Sequence, residues 1–252
     1  MSESVGLVVP ALRPDVPRLR TYLRELEEAV DPAVIRIELD APSDDCIEEI
    51  TALDVEVSIS PVRRGKGRAI TAGFDALETD VKAFVDADGS TAAPSVATLV
   101  QSVTGGSADL AVGSRRHRGA TVTGRSPRRR IMSGTFATVA AVITGIHLTD
   151  FQCGAKAIGA DAWDELRGTL YEPGFAWDLE LLWNARRHGY TIAEVPIVWE
   201  ERPGSTVAPY RTASELGRLL GRIAEARVRR RPQLTTEGVP LIDRSTTEAE
   251  SS

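Results

Sequence analysis

The 252-residue chain is poor in sulfur, histidine, lysine and aromatics. Its two cysteines, Cys46 and Cys153, exclude a disulfide scaffold and a four-cysteine zinc site. Three histidines are too few and too scattered for a histidine-built metal centre; His117 and His147 are expected in loops or structural positions. No charged-apolar-small leader opens the chain, which points to the cytoplasm. The one stretch free of Asp, Glu, Lys and Arg over 18 residues, 131–148, is diluted by Ser133, Gly134, Thr135, Thr138, Thr144, Gly145 and His147. A spanning helix needs about 20 strongly apolar residues, so a helix packed on a sheet, or lying at an interface beside Arg128–Arg130, is expected instead. What remains is ordinary for a globular chain: 42% hydrophobic and 26% charged residues, enough for one large α/β domain or two small ones.

Charge is unevenly spread. The 30 basic residues are 27 Arg and only three Lys, at 66, 82 and 156, against 36 acids, for a formal charge of −6. Residues 115–130 hold seven arginines and no acid, and residues 211–231 hold seven arginines against Glu215 and Glu225. The rest of the chain therefore carries −18, an acidic body with two arginine-rich patches suited to phosphate or a membrane surface. A nucleic-acid arm is disfavoured, because residues 115–130 contain no interleaved aromatics.

Short β-branched runs alternate with amphipathic helical patterns over the first two hundred residues, the pattern of an α/β fold on a mixed, mostly parallel sheet. Strands are expected at 5–9, 34–39, 55–59, 81–85, 109–113 and 191–199. Helices are expected at 14–30, within 43–53, and at 67–78, 94–103, 177–187 and 212–228. The last places Leu216, Leu219, Leu220 and Ile223 on one side. Such a face suits either a membrane surface or a cap on the domain. The expected division is a catalytic domain at 1–210, an arginine-rich amphipathic helix at 211–231, and a disordered Thr/Ser/Glu/Pro-rich tail at 232–252.

Asp86-Ala87-Asp88 directly follows the apolar run 81–85, so two carboxylates emerge at the carboxyl end of a parallel sheet, where open α/β folds bind ligands. The pair suits a hard divalent cation, although Asp-x-Asp is common and also fits a solvated turn. Upstream, Arg63-Arg64-Gly65-Lys66-Gly67 precedes a helix, with glycines that would let backbone approach a ligand and a lysine for an anion. Downstream, Gly113-Ser114-Arg115 ends another strand and delivers a cation to the same edge.

In order along residues 5–207, these motifs resemble the family 2 glycosyltransferases of the GT-A fold, in the polyprenyl-phosphate (dolichyl-phosphate) hexosyltransferase branch. The carriers are Val8-Val9-Pro10-Ala11, Asp40 with Ser43 and Asp45, Arg64-Gly65-Lys66-Gly67, Asp86-Ala87-Asp88 and Val112-Gly113-Ser114-Arg115. They continue through Asp150-Phe151-Gln152-Cys153-Gly154-Ala155-Lys156, the run from Phe175 to Leu182, Glu194-Val195-Pro196-Ile197 with Trp199, and Gly204-Ser205. The 150–156 segment with the later Trp-Asp-x-Glu helix is most similar to the dolichyl-phosphate glucosyltransferase type and its archaeal relatives. Where that family usually has aromatic-Asn-Glu and Asp-Asp-Gly-Ser, this chain has Leu12-Arg13-Pro14-Asp15 and Asp40-Ala41-Pro42-Ser43, and both changes fall in the base pocket.

The resemblance implies Pro10, Ala11 and Asp40 at the nucleotide base and ribose, Lys66 at the nucleotide, and Asp86 and Asp88, with Ser90 nearby, holding Mg²⁺ or Mn²⁺ against the diphosphate. It implies Arg115, Arg128, Arg129, Arg130 and Ser205 at an acceptor phosphate, and Asp150, Gln152, Trp177 and Asp178 around the sugar. Asp88, Asp178, Arg115 and Gln152 are the expected catalytic set. The partners are then a nucleotide sugar, UDP-linked ahead of GDP-linked, and a polyprenyl phosphate reached from the cytoplasmic face of a membrane. A lipid phosphate is already anionic and needs no strong base; a hydroxyl acceptor would need one, and Asp178 is the best placed. A GDP-mannose-dependent dolichyl-phosphate mannosyltransferase and a non-catalytic nucleotide-sugar binding module are rival readings of the same motifs. Cys153 is expected to pack as a small apolar residue beneath the sugar loop.

Overall fold

β-Branched residues with apolar neighbours build the first strand, β1 (Val5–Leu12), whose first five residues are all buried, as in a strand covered on both faces. The computed structural model describes residues 3–124, 127–202 and 209–229, with backbone alone at 127–133, 209–213 and 226–229. Helix α1 (Val16–Val30) begins where the Asp15 carboxylate accepts the Arg18 N–H at 3.1 Å, and it buries Val16, Leu19, Tyr22, Leu23 and Leu26. Then follow β2 (Val34–Asp40), α2 (Asp44–Thr51), β3 (Glu56–Ser60), α3 (Lys66–Ala76), β4 (Val81–Val85), α4 (Ala93–Thr104) and β5 (Leu110–Ser114). Each lies within three residues of its expected place.

The second half departs further from expectation. The segment 115–130, an arginine-rich patch in which no strand or helix was expected, contains β6 (Thr121–Thr123) and the start of α5 (Pro127–Thr144), whose first turn carries Arg128–Arg130 in its backbone. A strand that no β-branched run announced, β7 (Ala155–Gly159), enters the sheet antiparallel between β4 and β5. After α6 (Ala160–Leu166) and α7 (Trp177–His188), the expected strand 191–199 divides into β8 (Ile192–Pro196) and β9 (Val198–Glu200). Pro196 has no N–H to extend the ladder, and β9 leaves β5 to pair with β6. Helix α8 (Pro209–Arg229) closes the described chain.

The strand order is β3-β2-β1-β4-β7-β5-β8, with every pair parallel except those of β7. Helices α1, α2 and α4 cover one face of this mixed, mostly parallel sheet, and α3, α5, α6, α7 and α8 cover the other. The second layer centres on Phe74, Phe84, Trp163 and Trp177; Phe74 meets Trp163 edge-on at 5.0 Å between ring centroids. Leu216, Leu219, Leu220 and Ile223 of α8 are buried in this same layer. Of the two readings of that helix face, the cap on the domain fits, because its apolar residues already have protein partners. No described helix is long and apolar enough to cross a membrane. Ser205, Arg230, Arg231 and the 232–252 tail lie outside the described residues.

Candidate active site

Parallel strands put their carboxyl ends on one edge, and there β1, β2 and β4 bring Pro10, Ala11, Asp40, Asp86 and Asp88 to a single cleft. The cleft encloses 440 Å³ and is also lined by Gly65 and Lys66 from the start of α3 and by Phe175 from the turn before α7. Six of the expected nucleotide and metal residues thus meet. Leu12, Arg13 and Asp15, from the first departure from the family pattern, and Arg63, from the turn before α3, line it as well; so does Arg18, to which no sequence motif pointed.

At this base end, Asp40 is buried and engaged. Its Oδ2 accepts the N–H groups of Arg64 (2.8 Å) and Gly65 (3.1 Å), and its Oδ1 accepts Arg64 Nε at 2.7 Å. Arg64 also reaches Glu38 Oε2 at 2.9 Å, and Glu38 Oε1 is held by Arg36 Nε at 2.7 Å. The Asp40 carboxylate therefore fastens the turn into α3 as well as lining the cleft. The glycines of that turn are also demanded by packing. Gly65 has φ +101°, and a Cβ there would stand 2.4 Å from the Pro173 carbonyl; at Gly67 it would stand 2.6 Å from the Glu172 carbonyl. They let α3 approach the 172–174 loop, and Gly65 lines the cleft as well. Arg13 (φ 50°) and Ala41 (φ 45°), within the two departures from the family pattern, occupy the left-handed region that side chains disfavour.

At the other end, four charges interlock. Lys66 Nζ lies 2.8 Å from Asp86 Oδ1 and 3.9 Å from Asp178 Oδ2, while Lys156 Nζ holds Asp178 Oδ1 at 2.5 Å and the Cys153 carbonyl at 2.9 Å. Burial alone would lower the Lys66 pKa, but Asp86 and Asp178 outweigh it and hold the ammonium above its ordinary value. For Asp86, withdrawal from water prevails, and Asp88 adds to it, so its carboxyl is raised despite Lys66. The Asp86 N–H donates to the Gly154 carbonyl at 2.9 Å, and a Cβ at Gly154 would stand 1.8 Å from Asp86 Oδ2. Gly154 is thus required for Asp86 to sit where it does. Asp88 Oδ1 accepts the Ser90 N–H at 2.9 Å, and the Tyr22 hydroxyl donates to the Thr91 carbonyl at 2.7 Å, fixing the turn from beneath. Ser90 Oγ is buried beside them with no hydrogen-bond partner.

Arg115, Asp150 and Gln152 form an adjoining cluster that does not line the cleft. Arg115 grips Asp150 with two bonds, Nε to Oδ2 at 2.7 Å and Nη2 to Oδ1 at 2.9 Å, and Nη2 also donates to the Gln152 carbonyl. Burial would raise the Asp150 pKa, but the guanidinium outweighs it and holds the carboxyl below its ordinary value. The expected sugar contact through Asp150 is corrected, since both its oxygens are already taken. Trp177 is corrected too: it is 1% exposed, its Nε1 donates to Thr71 Oγ1 at 3.0 Å, and its ring is core, so it stacks on no sugar. Cys153 is buried as expected, and burial pushes its thiol up to about 12. The side chains of Arg128, Arg129 and Arg130 lie outside the described residues. Residues the sequence did not assign include Arg64, Lys156, Gly154 and Glu194, whose Oε1 accepts the Thr149 and Asp150 N–H groups. The signal for them was membership of a motif: Gly154 and Lys156 stand in the one that contains Gln152, Arg64 in the turn with Lys66, and Glu194 in the run 194–197.

Comparison with known proteins agrees with this geometry. The family model for glycosyl transferase family 2 matches residues 35–166, just over half of the chain. Polyprenol monophosphomannose synthase of Mycolicibacterium smegmatis is 33% identical over 144 residues, covering 56% of this chain and 54% of that protein. The dolichyl-phosphate beta-glucosyltransferase of Saccharomyces cerevisiae is 32% identical over 157 residues, covering 58% and 47%. The chain thus spans about half the length of each of these relatives. The solved structure of glucosyl-3-phosphoglycerate synthase from Mycobacterium tuberculosis, in complex with Mn²⁺, UDP and glucosyl-3-phosphoglycerate, matches 89% of this chain and 80% of that one. Its TM-score is 0.64 at 18% identity, a likeness of fold: the architecture is GT-A, as the sequence led us to expect.

Proposed function

The chain belongs to glycosyl transferase family 2, and from that premise we propose that it transfers a hexose or N-acetylhexosamine from a nucleotide sugar, UDP-linked ahead of GDP-linked, to a polyprenyl phosphate with inversion. The observation that carries the phosphate acceptor is the setting of Asp178. This carboxylate is buried, with one oxygen 2.5 Å from Lys156 and the other facing Lys66. With one ammonium bonded to Oδ1 and a second 3.9 Å from Oδ2, it is placed as a counter-ion to two lysines rather than as a free base. An acceptor that needs no deprotonation fits such a site, and a phosphate monoester brings its own anionic oxygen. The enzyme's work is then to align that oxygen with the anomeric carbon and to exclude water.

The residues present fit a divalent cation. Asp86 and Asp88 line the cleft, their donors are all oxygen, and Ser90 Oγ is an unsatisfied buried oxygen beside them. Among the described residues no third His, Cys, Asp or Glu joins these two, so the diphosphate would complete the coordination. When bound, Mg²⁺ or Mn²⁺ neutralises charge on the departing nucleotide. Pro10, Ala11 and Asp40 hold the base end, and Arg13, Arg18 and Arg63 add donors suited to base carbonyls. Arg115, tied to Asp150 and the Gln152 carbonyl, positions the Gln152 loop and is assigned with it to the acceptor-phosphate side of the site. Arg128–Arg130 and Ser205 are assigned to the acceptor phosphate, with the protein peripheral on the cytoplasmic face of the membrane.

The test is incubation with polyprenyl phosphate, radiolabelled UDP- or GDP-sugars and Mg²⁺ or Mn²⁺. Lipid-extractable label that vanishes in Asp88→Ala is expected. Label found only on a hydroxyl acceptor would reject the phosphate reading and return Asp178 to the role of base.

A further inference from the structure

A chain with 27 arginines places all three of its lysines inside: Lys156 is 1% exposed, Lys82 5%, and the Lys66 side chain 12%. Lys82 is bound to the Leu77 carbonyl at the amino end of β4, whereas Lys66 meets Asp86, a candidate metal carboxylate, and Lys156 meets Asp178, the other carboxylate near Lys66. Every other basic side chain except histidine is arginine, so lysine at these positions reflects a demand that arginine does not meet. Arg115 shows what arginine does here: it locks one carboxylate in a two-bond fork. An ammonium on a four-carbon stem is a point charge that can turn between two partners.

We propose that Lys66 is the resident counter-ion of the metal site: its ammonium occupies Asp86 in the unloaded protein and is handed to Asp178 when a divalent cation binds. The inference rests on reading Asp86 and Asp88 as metal-binding carboxylates. The present contact is 2.8 Å to Asp86 Oδ1, and the alternative oxygen, Asp178 Oδ2, is already at 3.9 Å. Lys156 holds the opposite oxygen of Asp178 and keeps that second station in place. The rings of Phe84 and Phe175, with centroids 5.1 and 5.8 Å from Nζ, flank the ammonium on its short path. A cation arriving alone must displace this ammonium and then sit close to it. One arriving with a diphosphate brings negative charge that both can share. The arrangement therefore favours uptake of metal and nucleotide together over metal alone.

Mn²⁺ binding is to be titrated without nucleotide, by electron paramagnetic resonance, in wild type, Lys66→Met and Asp88→Asn. Removing the resident cation is expected to tighten Mn²⁺ alone by about tenfold, while Asp88→Asn weakens it. Equal or weaker binding in Lys66→Met, with wild type binding and sensitive to Asp88→Asn, overturns the counter-ion role and leaves the metal reading standing. Absence of binding in both wild type and Lys66→Met overturns the two together. Should Lys66→Met fail to fold, the wild type decides. It has three lysine ammonium ¹⁵N resonances, and Mg²⁺ is expected to shift that of Lys66 while Lys82 stays fixed. An unmoved Lys66 resonance through the titration overturns the proposal.

Discussion

Glu180 offers a sharp test of how the loop beside the site is held. It lies in the first turn of α7, 5% exposed, and its Oε2 accepts the N–H groups of Tyr171 and Glu172, each at 2.8 Å. Burial raises its carboxyl from 4.5 to about 7, against the opposing pull of the Tyr171 N–H. In the unfolded chain the group ionises near 4.5. Between these two values the native state alone holds the proton, so unfolding releases one and stability falls as pH rises, levelling off above about 7. At 1.36 kcal/mol per unit, the loss across that window is about 3 kcal/mol. Glu180→Gln keeps an oxygen for both N–H donors and removes the charge. Urea unfolding of the two proteins at pH 5 and pH 8 isolates this contribution, because other titrations cancel in the difference. Near-equal stability is expected at pH 5, and at pH 8 the variant is expected to be more stable by about 3 kcal/mol. A difference that does not change between the two pH values would refute the reasoning. The loop matters because its Glu172 and Pro173 carbonyls face Gly67 and Gly65, and Glu172 also pairs with Arg222 of α8.

Two further outcomes follow from packing. Gly154→Ala places a methyl on Asp86 Oδ2, so metal-dependent transfer is expected to drop by about a hundredfold or more with an unchanged circular-dichroism spectrum; near wild-type activity would show that Asp86 can move at no cost. Leu219→Ala removes a side chain that is 4% exposed and is expected to destabilise the fold by about 3 kcal/mol in denaturant titration. Sedimentation with anionic vesicles should be unaffected by that change; lost vesicle binding at full stability would return the apolar face of α8 to a membrane.

The first half of the fold was legible because each element there is locally self-consistent. β4 is five buried residues bounded by two valines, and α1 carries its own cap in Asp15 and its own apolar stripe. β7 was not legible. Ala155, Ala157 and Gly159 have weak strand preference, and the segment is a strand only because β4 and β5 offer edges on both sides. The break at Pro196 was visible as a residue but not as a change of sheet, which depends on β6 being alongside.

For the site, the sequence by itself determined which residues stand at the carboxyl ends of strands: Pro10 and Ala11, Asp40, Asp86 and Asp88. Strand direction and period are local properties, and a parallel sheet puts such ends on one edge. Only the tertiary structure decided which charges pair. Asp150 and Arg115 are 35 residues apart, Lys156 and Asp178 are 22, and Lys66 at the start of α3 meets Asp86 from the carboxyl end of β4. Pairing at such separations depends on where whole elements pack. That is why Trp177 and Asp150 exchanged an expected sugar contact for core and ion-pair roles, and why the three lysines, an oddity of composition, stand two in buried positions and one in the cleft wall.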